Sequence, residues 1–509
     1  MIRIFCYIVL LTASVAAYAE KPNIVYILAD DLGYGDIASL NPDGKIPTPH
    51  IDSLGKDGMT FTNAHSTSAV CTPTRYSVLT GRYNWRSTLE QGVAWSYSPH
   101  LIQHDRVTVA ELLKRQGYAT ACIGKWHLGL DWTLKNGGLA ARGADSNTID
   151  FTKPVGNGPL VHGFDEFFGI TASLDIPPFV YIEGDELIGI PTVTKHFYRD
   201  GIAEKDFEAL DVLPELTRRA GNYIDHHANA AKNGEPFFLY FPLTAPHTPI
   251  VPTDEWAGKS NVNGYADFVM QVDHTVGEVL AALERNGLSE NTLVIFTSDN
   301  GCSPEANFRE LADKGHDPSY VFRGHKADIF EGGHRVPFFA KWPGHIKKNS
   351  KTDAPVSLGD LMATTADILD VALTPEEAVD SVSMVPLFNR KEKTHERTDV
   401  VHHSINGSFA ITEGDWKLAL CPGSGGWSNP RPGRADLSEL PAVQLYNLKD
   451  DIGESNNLAG VYPNVVARLT SKLEHYVARG RSTPGPDQTN DRDVDIFKAG
   501  RQALQSGKK

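Results

Sequence analysis

The sequence is short of cysteine and methionine, with five of each in 509 residues. So few cysteines exclude a disulfide framework as the means of holding the chain together. Cys6 falls in the N-terminal stretch discussed below, which leaves Cys71, Cys122, Cys302 and Cys421. If Cys71 is modified, an odd number remains, so at most one bridge is possible and the spacing does not say which. An excess of positive charge is missing too. The formal net charge of −15 argues against nucleic acid or an anionic membrane as partner, and an anionic substrate would need a local positive pocket. Beyond the N-terminus no apolar run reaches the ~20 residues a membrane span requires.

What is present describes a globular protein, with 41% hydrophobic and 22% charged residues. The length favours one large domain with a smaller companion. The opening stretch combines Arg3, an apolar segment from Ile4 to Val15 and the small-x-small triplet Ala17-Tyr18-Ala19. It reads as a secretory signal over residues 1–19, so the mature chain is expected to be exported, periplasmic or extracellular.

Four apolar runs read as buried parallel strands: Asn23 to Ala29, Tyr118 to Gly124, Pro236 to Leu243 and Thr292 to Ser298. Amphipathic stretches lie between them, as at Val107 to Gly117 and Tyr265 to Gly287. The alternation predicts an α/β fold with a mostly parallel central sheet flanked by helices. Each run ends in polar residues: Asp30-Asp31, then Lys125-Trp126-His127, then His247, then Asp299-Asn300. In open α/β sheets ligands bind at the carboxyl ends of strands, so these groups should meet in one crevice. Acidic pairs brought together repel unless a cation lies between them. Asp30, Asp31, Asp299 and Asn300 offer only oxygen, which selects Ca²⁺ or Mg²⁺ over zinc.

Cys71 opens the run CTPTRYSVLTGR, with Pro73 suited to a first helical turn and Arg75 one turn on. Free N–H groups at a helix start, with a guanidinium beside them, form an anion pocket that contains a thiol. The run resembles the signature of type I sulfatases, C-x-P-[ST]-R followed by T-G, matched here by Cys71, Pro73, Thr74, Arg75, Thr80 and Gly81. The resemblance extends from about Lys21 to the end and is sharpest between Asn23 and Gly344. It implies an alkaline phosphatase-like fold and oxidation of Cys71 to Cα-formylglycine (3-oxoalanine) by a maturation enzyme, formylglycine-generating or anaerobic. A hydrated aldehyde at that position can attack sulfur with one hydroxyl and expel sulfate with the other. The resemblance further implies one Ca²⁺, with Mg²⁺ the second choice, held by Asp30, Asp31, Asp299, Asn300 and modified Cys71. It implies that Arg75 and Lys125 hold sulfate, that His127 accepts a proton, and that His247 or Lys326 protonates the departing alcohol.

The same resemblance places Ser173 near the sulfate. Asp175, His325, His402 and His403 are candidates to bind hydroxyls of the leaving group, which points to a sulfated glycan. Exo-acting removal from galactose or N-acetylgalactosamine type sugars, with aryl sulfates as incidental substrates, is the expected activity. Two rivals belong to other classes: a phosphate or phosphonate monoester hydrolase of the same superfamily, and a non-catalytic binder of sulfated glycans. The catalytic domain is expected over residues 20–400. A C-terminal subdomain over 401–480 should form a short antiparallel sheet with one helix, and residues 481–509 read as a loosely ordered polar tail.

Overall fold

A computed structural model describes residues 21–389 and 395–498; the expected signal, residues 1–19, and the end of the tail lie outside the described residues. Four strands form the centre: β1 (Asn23–Asp30), β2 (Ala119–Lys125), β3 (Phe237–Pro246) and β4 (Thr292–Ser298). They run parallel in the order β4-β1-β3-β2, within a ten-stranded sheet whose outer strands add antiparallel pairings. All eight residues of β1 are buried, as expected of a strand covered on both faces.

Successive side chains of β1 alternate between two cores. Val25, Ile27 and Ala29 pack with the helices Ala209–Lys232 and Gly264–Arg285 on one face. Ile24, Tyr26 and Leu28 pack with the helices Cys71–Thr80 and Val109–Arg115 on the other. Because the central strands are parallel, their carboxyl ends share one edge. Asp30, Lys125, His247 and Asp299 therefore leave the sheet side by side.

The smaller subdomain holds β5 (Asp399–His403), β6 (Phe409–Glu413), β7 (Trp416–Ala419) and β8 (Gln444–Asn447) in a consecutive antiparallel sheet. Leu469, Leu473 and Tyr476 of the helix Pro463–Arg479 pack on it. The expected loose order of the tail fails for residues 481–498. Ile496 joins the subdomain core, Arg82 pairs with Asp491, and Arg86 donates to Asn490 Oδ1. Two of its polar residues, Asn490 and Asp491, are held by distant buried arginines, while others face solvent.

Among the described residues the four cysteines are buried and free, and no helix is long and apolar enough to cross a membrane.

Candidate active site

Cys71 is the first residue of its helix, after Val70 in extended conformation, and it is 2% exposed. Its Sγ stands 3.6 Å from Asp30 Oδ1. Burial pushes the thiol pKa up against the pull of Lys125 and Lys326, so the unmodified side chain stays protonated and is a poor nucleophile. Arg75, one turn along, is fully buried. It donates twice to Asp299 Oδ2, at 2.9 and 2.7 Å, and once to the Lys125 carbonyl at 3.0 Å. That fork fixes the helix start relative to the ends of β2 and β4.

The strand ends converge around Cys71. Lys125 Nζ donates to Asp30 Oδ2 at 2.6 Å, and Lys326 Nζ to Asp31 Oδ2 at 2.7 Å. His247 Nε2 lies 3.6 Å from Asp31 Oδ2. Asp31 has φ of 65° and His127 of 56°, left-handed conformations held where the strands give out. Burial opposes the charge on Asp30, but Lys125, His247, Arg75 and Lys326 together outweigh it and hold that carboxyl well below its usual range. Asp299 moves upward, through burial and the nearby Asp30, despite Arg75.

His127 is held by its Nε2, which donates to the Ala94 carbonyl at 2.9 Å, and its Nδ1 is buried with no partner. Burial, then Lys125 and Arg75, hold its pKa well below the ordinary histidine value. The ring is therefore neutral, with a bare lone pair at Nδ1. His247 points Nδ1 at the Thr248 carbonyl, 2.7 Å away, leaving Nε2 for the crevice.

A divalent ion fits these residues. Asn300 Oδ1 is buried and unpartnered while its amide nitrogen donates to Asp31 Oδ1 at 2.8 Å. An orphaned carbonyl beside three carboxylates suits a cation. Ligand-type atoms of Asp30, Asp31, Cys71 and His247 all lie within 4.8 Å of one another. Asp299 is turned toward Arg75 and also accepts the Asp31 N–H at 3.2 Å.

The rim differs in part from expectation. Ser173 and Asp175 follow the strand Glu166–Ile170, parallel to β2, and both are buried. Asp175 pairs through Oδ2 with Arg199, while its Oδ1 has no hydrogen-bond partner and lies 4.0 Å from His247 Nδ1. His325 is half-buried and edges against Phe308 next to Lys326. His402 and His403, expected on a substrate pocket, are instead sealed inside the protein. The His402 ring stacks on His334 at 3.7 Å, and His403 sits against Phe409, because alternate β5 side chains enter two different interiors.

Sequence reasoning missed Arg199. It follows Tyr198 at the tip of the hairpin formed by Val193–Phe197 and Arg199–Ala203, and its guanidinium lies over the Trp95 ring at 5.3 Å. Pairing of Arg199 with Asp175 depends on the path of that hairpin, for which the sequence carries no local signal.

Comparison with known proteins agrees with this geometry. The family model for sulfatases matches residues 22–371. An N-acetylgalactosamine-6-O-sulfatase of Bacteroides thetaiotaomicron is 33% identical over 507 residues, covering 91% of this chain and 94% of the relative. Human arylsulfatase A is 32% identical over 489 residues, covering 91% and 89%. A solved Bacteroides thetaiotaomicron structure described under metabolism of multiple glycosaminoglycans superposes with a TM-score of 0.77 at 32% identity, covering 90% of this chain and 99% of that one. A phosphonate monoester hydrolase from Silicibacter pomeroyi, at 16% identity and a TM-score of 0.59, shares the fold alone. The residues gathered at the strand ends thus sit in a chain that belongs to the sulfatase family, hydrolases of sulfuric esters.

Proposed function

We propose that the enzyme removes sulfate from galactose or N-acetylgalactosamine type sugars in an exported compartment, with Cys71 as the precursor of its nucleophile. The observation that carries this reading is the convergence of Cys71 with Asp30, Asp31, Lys125, His247 and Lys326 at one edge of the sheet. Conversion of Cys71 to formylglycine by a maturation enzyme would supply a hydrated aldehyde, one hydroxyl to attack sulfur and one whose deprotonation expels sulfate. A Ca²⁺ ion held by Asp30, Asp31, Asp299, Asn300 and residue 71 would supply positive charge to the nucleophile and the sulfate oxygens.

Charge counting supports that ion. Three carboxylates, Asp30, Asp31 and Asp299, face three cations, Arg75, Lys125 and Lys326. The cluster is neutral by itself, and a divalent ion leaves it doubly positive, matched to one sulfate ester and one oxyanion. Lys125 and Lys326 would then turn from the carboxylates toward sulfate oxygens and stabilise charge as the S–O bond breaks. His247 Nε2 or Lys326 Nζ would protonate the departing sugar oxygen, and His127 Nδ1 would accept the proton released with sulfate. Overall a sulfate monoester and water give alcohol and hydrogensulfate.

The sugar assignment draws on the N-acetylgalactosamine-6-O-sulfatase relative and on the free acceptor at Asp175 Oδ1, which Arg199 holds beside His247. Defined sulfated mono- and disaccharides, an aryl sulfate and the matching phosphate monoesters, assayed in parallel, test it. Highest kcat/KM is expected on a galacto-configured sugar sulfate. Preference for phosphate, with zinc bound at full occupancy, overturns the sulfatase chemistry for this site. Preference for a gluco-configured sugar overturns only the sugar.

A further inference from the structure

A second buried ionic cluster lies where the two subdomains meet. His65, Glu331, His334 and His402 place ligand-type atoms within 4.8 Å of one another, all buried. The cation in their midst is a side chain. Lys417, from β7, puts Nζ 3.0 Å from Glu331 Oε1, 3.0 Å from His334 Nε2 and 2.8 Å from Glu454 Oε1, with no side-chain exposure on lysine or carboxylates. Arg335 closes the other side of Glu331, at 3.0 Å from Oε2. An ammonium has only donors, so toward Lys417 His334 Nε2 accepts, although the same nitrogen also lies 3.2 Å from the Ile329 carbonyl. Its Nδ1–H then faces His65 Nδ1 at 3.1 Å, and His65 Nε2–H donates to Asn63 Oδ1 at 2.8 Å. In that tautomer both rings are neutral, and the Ile329 carbonyl goes without a proton from His334.

From this cluster two paths lead to the crevice. The short helix Glu331–His334 touches the Asp299-Asn300 turn directly, since Gly301 N–H donates to the Gly333 carbonyl at 3.0 Å. A Cβ on Gly301 would stand 1.9 Å from the Gly332 carbonyl oxygen, so the backbones meet with no room for a side chain. Gly332 N–H donates to the Arg323 carbonyl, and Arg323 donates to the Glu454 carbonyl, which ties down the segment that carries Lys326. On the second path Ser66 N–H donates to the His334 carbonyl, and Ser68 Oγ and Ala69 N–H donate to the His403 carbonyl. Cys71 follows two residues later.

We propose that Lys417 is a positioning residue for hydrolysis: its ammonium is a built-in cation that locks the C-terminal sheet to the Glu331–His334 helix and so sets both the Asp299-Asn300 turn and the loop ahead of Cys71. The C-terminal subdomain is then part of the catalytic apparatus without touching substrate. The inference rests on the strand-end crevice being the site of chemistry.

Lys417→Met tests it in the mature enzyme. In protein that is folded by circular dichroism, kcat should fall about ten-fold or more while KM changes less than about two-fold, since small displacements of reacting groups cost rate rather than binding. Affinity for Ca²⁺, measured by calorimetry, should weaken alongside. Hydrogen exchange should quicken in peptides covering residues 64–70 and 323–334 and stay as in the parent across β1 and β3. A folded Lys417→Met enzyme with parental kcat and Ca²⁺ affinity, and only a lower melting temperature, overturns the proposal. If that variant does not fold, Glu454→Gln keeps the ammonium and removes one counter-charge. It should show the same exchange pattern with a several-fold loss of kcat, and parental values in both would overturn the proposal. Cys71→Ala is the control. Activity surviving in it defeats the assignment of the site, whereas a dead Cys71→Ala beside an unimpaired, folded Lys417→Met defeats the role of Lys417 alone.

Discussion

Two buried ionic clusters, some of whose residues are neighbours in sequence, have opposite designs. At the strand ends, carboxylates and cations are paired, yet Asn300 Oδ1, Asp175 Oδ1 and His127 Nδ1 are left without partners. At the subdomain boundary, an ammonium fills the space among Glu331, Glu454 and His334, and of the ring nitrogens His402 Nδ1 is the one left open. Leaving buried acceptors open costs roughly 1–3 kcal/mol each unless something binds there. A cluster that keeps several such openings around a thiol is arranged for a ligand, and a cluster that supplies its own cation is arranged to hold two pieces of chain together. The rim residues agree, since Arg199 has a side chain 41% exposed whereas Lys417 and its carboxylate partners have none.

Substitutions at the strand ends should therefore remove chemistry, and the one that breaks no buried ion pair should spare the fold. The largest effect is expected from Cys71→Ala, which leaves nothing to attack sulfur: turnover should fall more than about 10³-fold, with a melting temperature near that of the parent. Substantial turnover in that variant would end the covalent reading. Asp31→Ala comes next. It deletes the acceptor of both Lys326 and Asn300, so calcium content and activity should drop together. Retained calcium, measured by plasma emission on dialysed protein, would show that Asp31 is not among its ligands. By contrast Lys417→Met removes the cation between two buried carboxylates and should cost about 3–5 kcal/mol of stability, a loss that Cys71→Ala should not match.

The two clusters also differ in how far the sequence reveals them. Strand-end residues were legible because parallel topology is itself legible. Apolar runs mark the strands, and whatever follows a run must emerge at the common edge, so Asp30, Lys125, His247 and Asp299 could be placed together unseen. The boundary cluster has no such rule. His65, Glu331, His402, Lys417 and Glu454 come from a bridge strand, a four-residue helix, two antiparallel strands and a loop, and only packing of one subdomain on the other brings them together. His402 and His403 were misplaced for that reason, since exposure of a strand residue depends on what covers the sheet. Arg82 and Arg86 show the same limit from another side, because the partners that bury them arrive in residues 490 and 491.

The smallest expected effect sharpens the contrast through pH. Burial, then Lys417, lowers His402 to about 3, and burial likewise holds His65 and His334 well below the ordinary value. These rings are neutral in the fold and take up protons on unfolding, where a histidine titrates near ~6.5. Their contribution is thus fully present above about pH 6.5 and is lost as pH falls below it, for His402 down to about 3. Glu331, held low by Lys417 and its other basic neighbours against burial, weakens the fold in the same direction once pH drops to its range. Glu454 runs the other way. Burial lifts it to about 7, against Lys417, so its contribution is lost as pH rises through that value. Three histidines and Glu331 outnumber Glu454, and melting temperature should fall between pH 7 and pH 4. His402→Phe keeps the ring that stacks on His334 and removes one titrating group, worth up to about 1.4 kcal/mol per pH unit over that span. Its melting curve against pH should be shallower than the parent's, while Cys71→Ala should reproduce the parental slope. Equal slopes in all three proteins would show that the boundary histidines are not what makes the fold acid-sensitive.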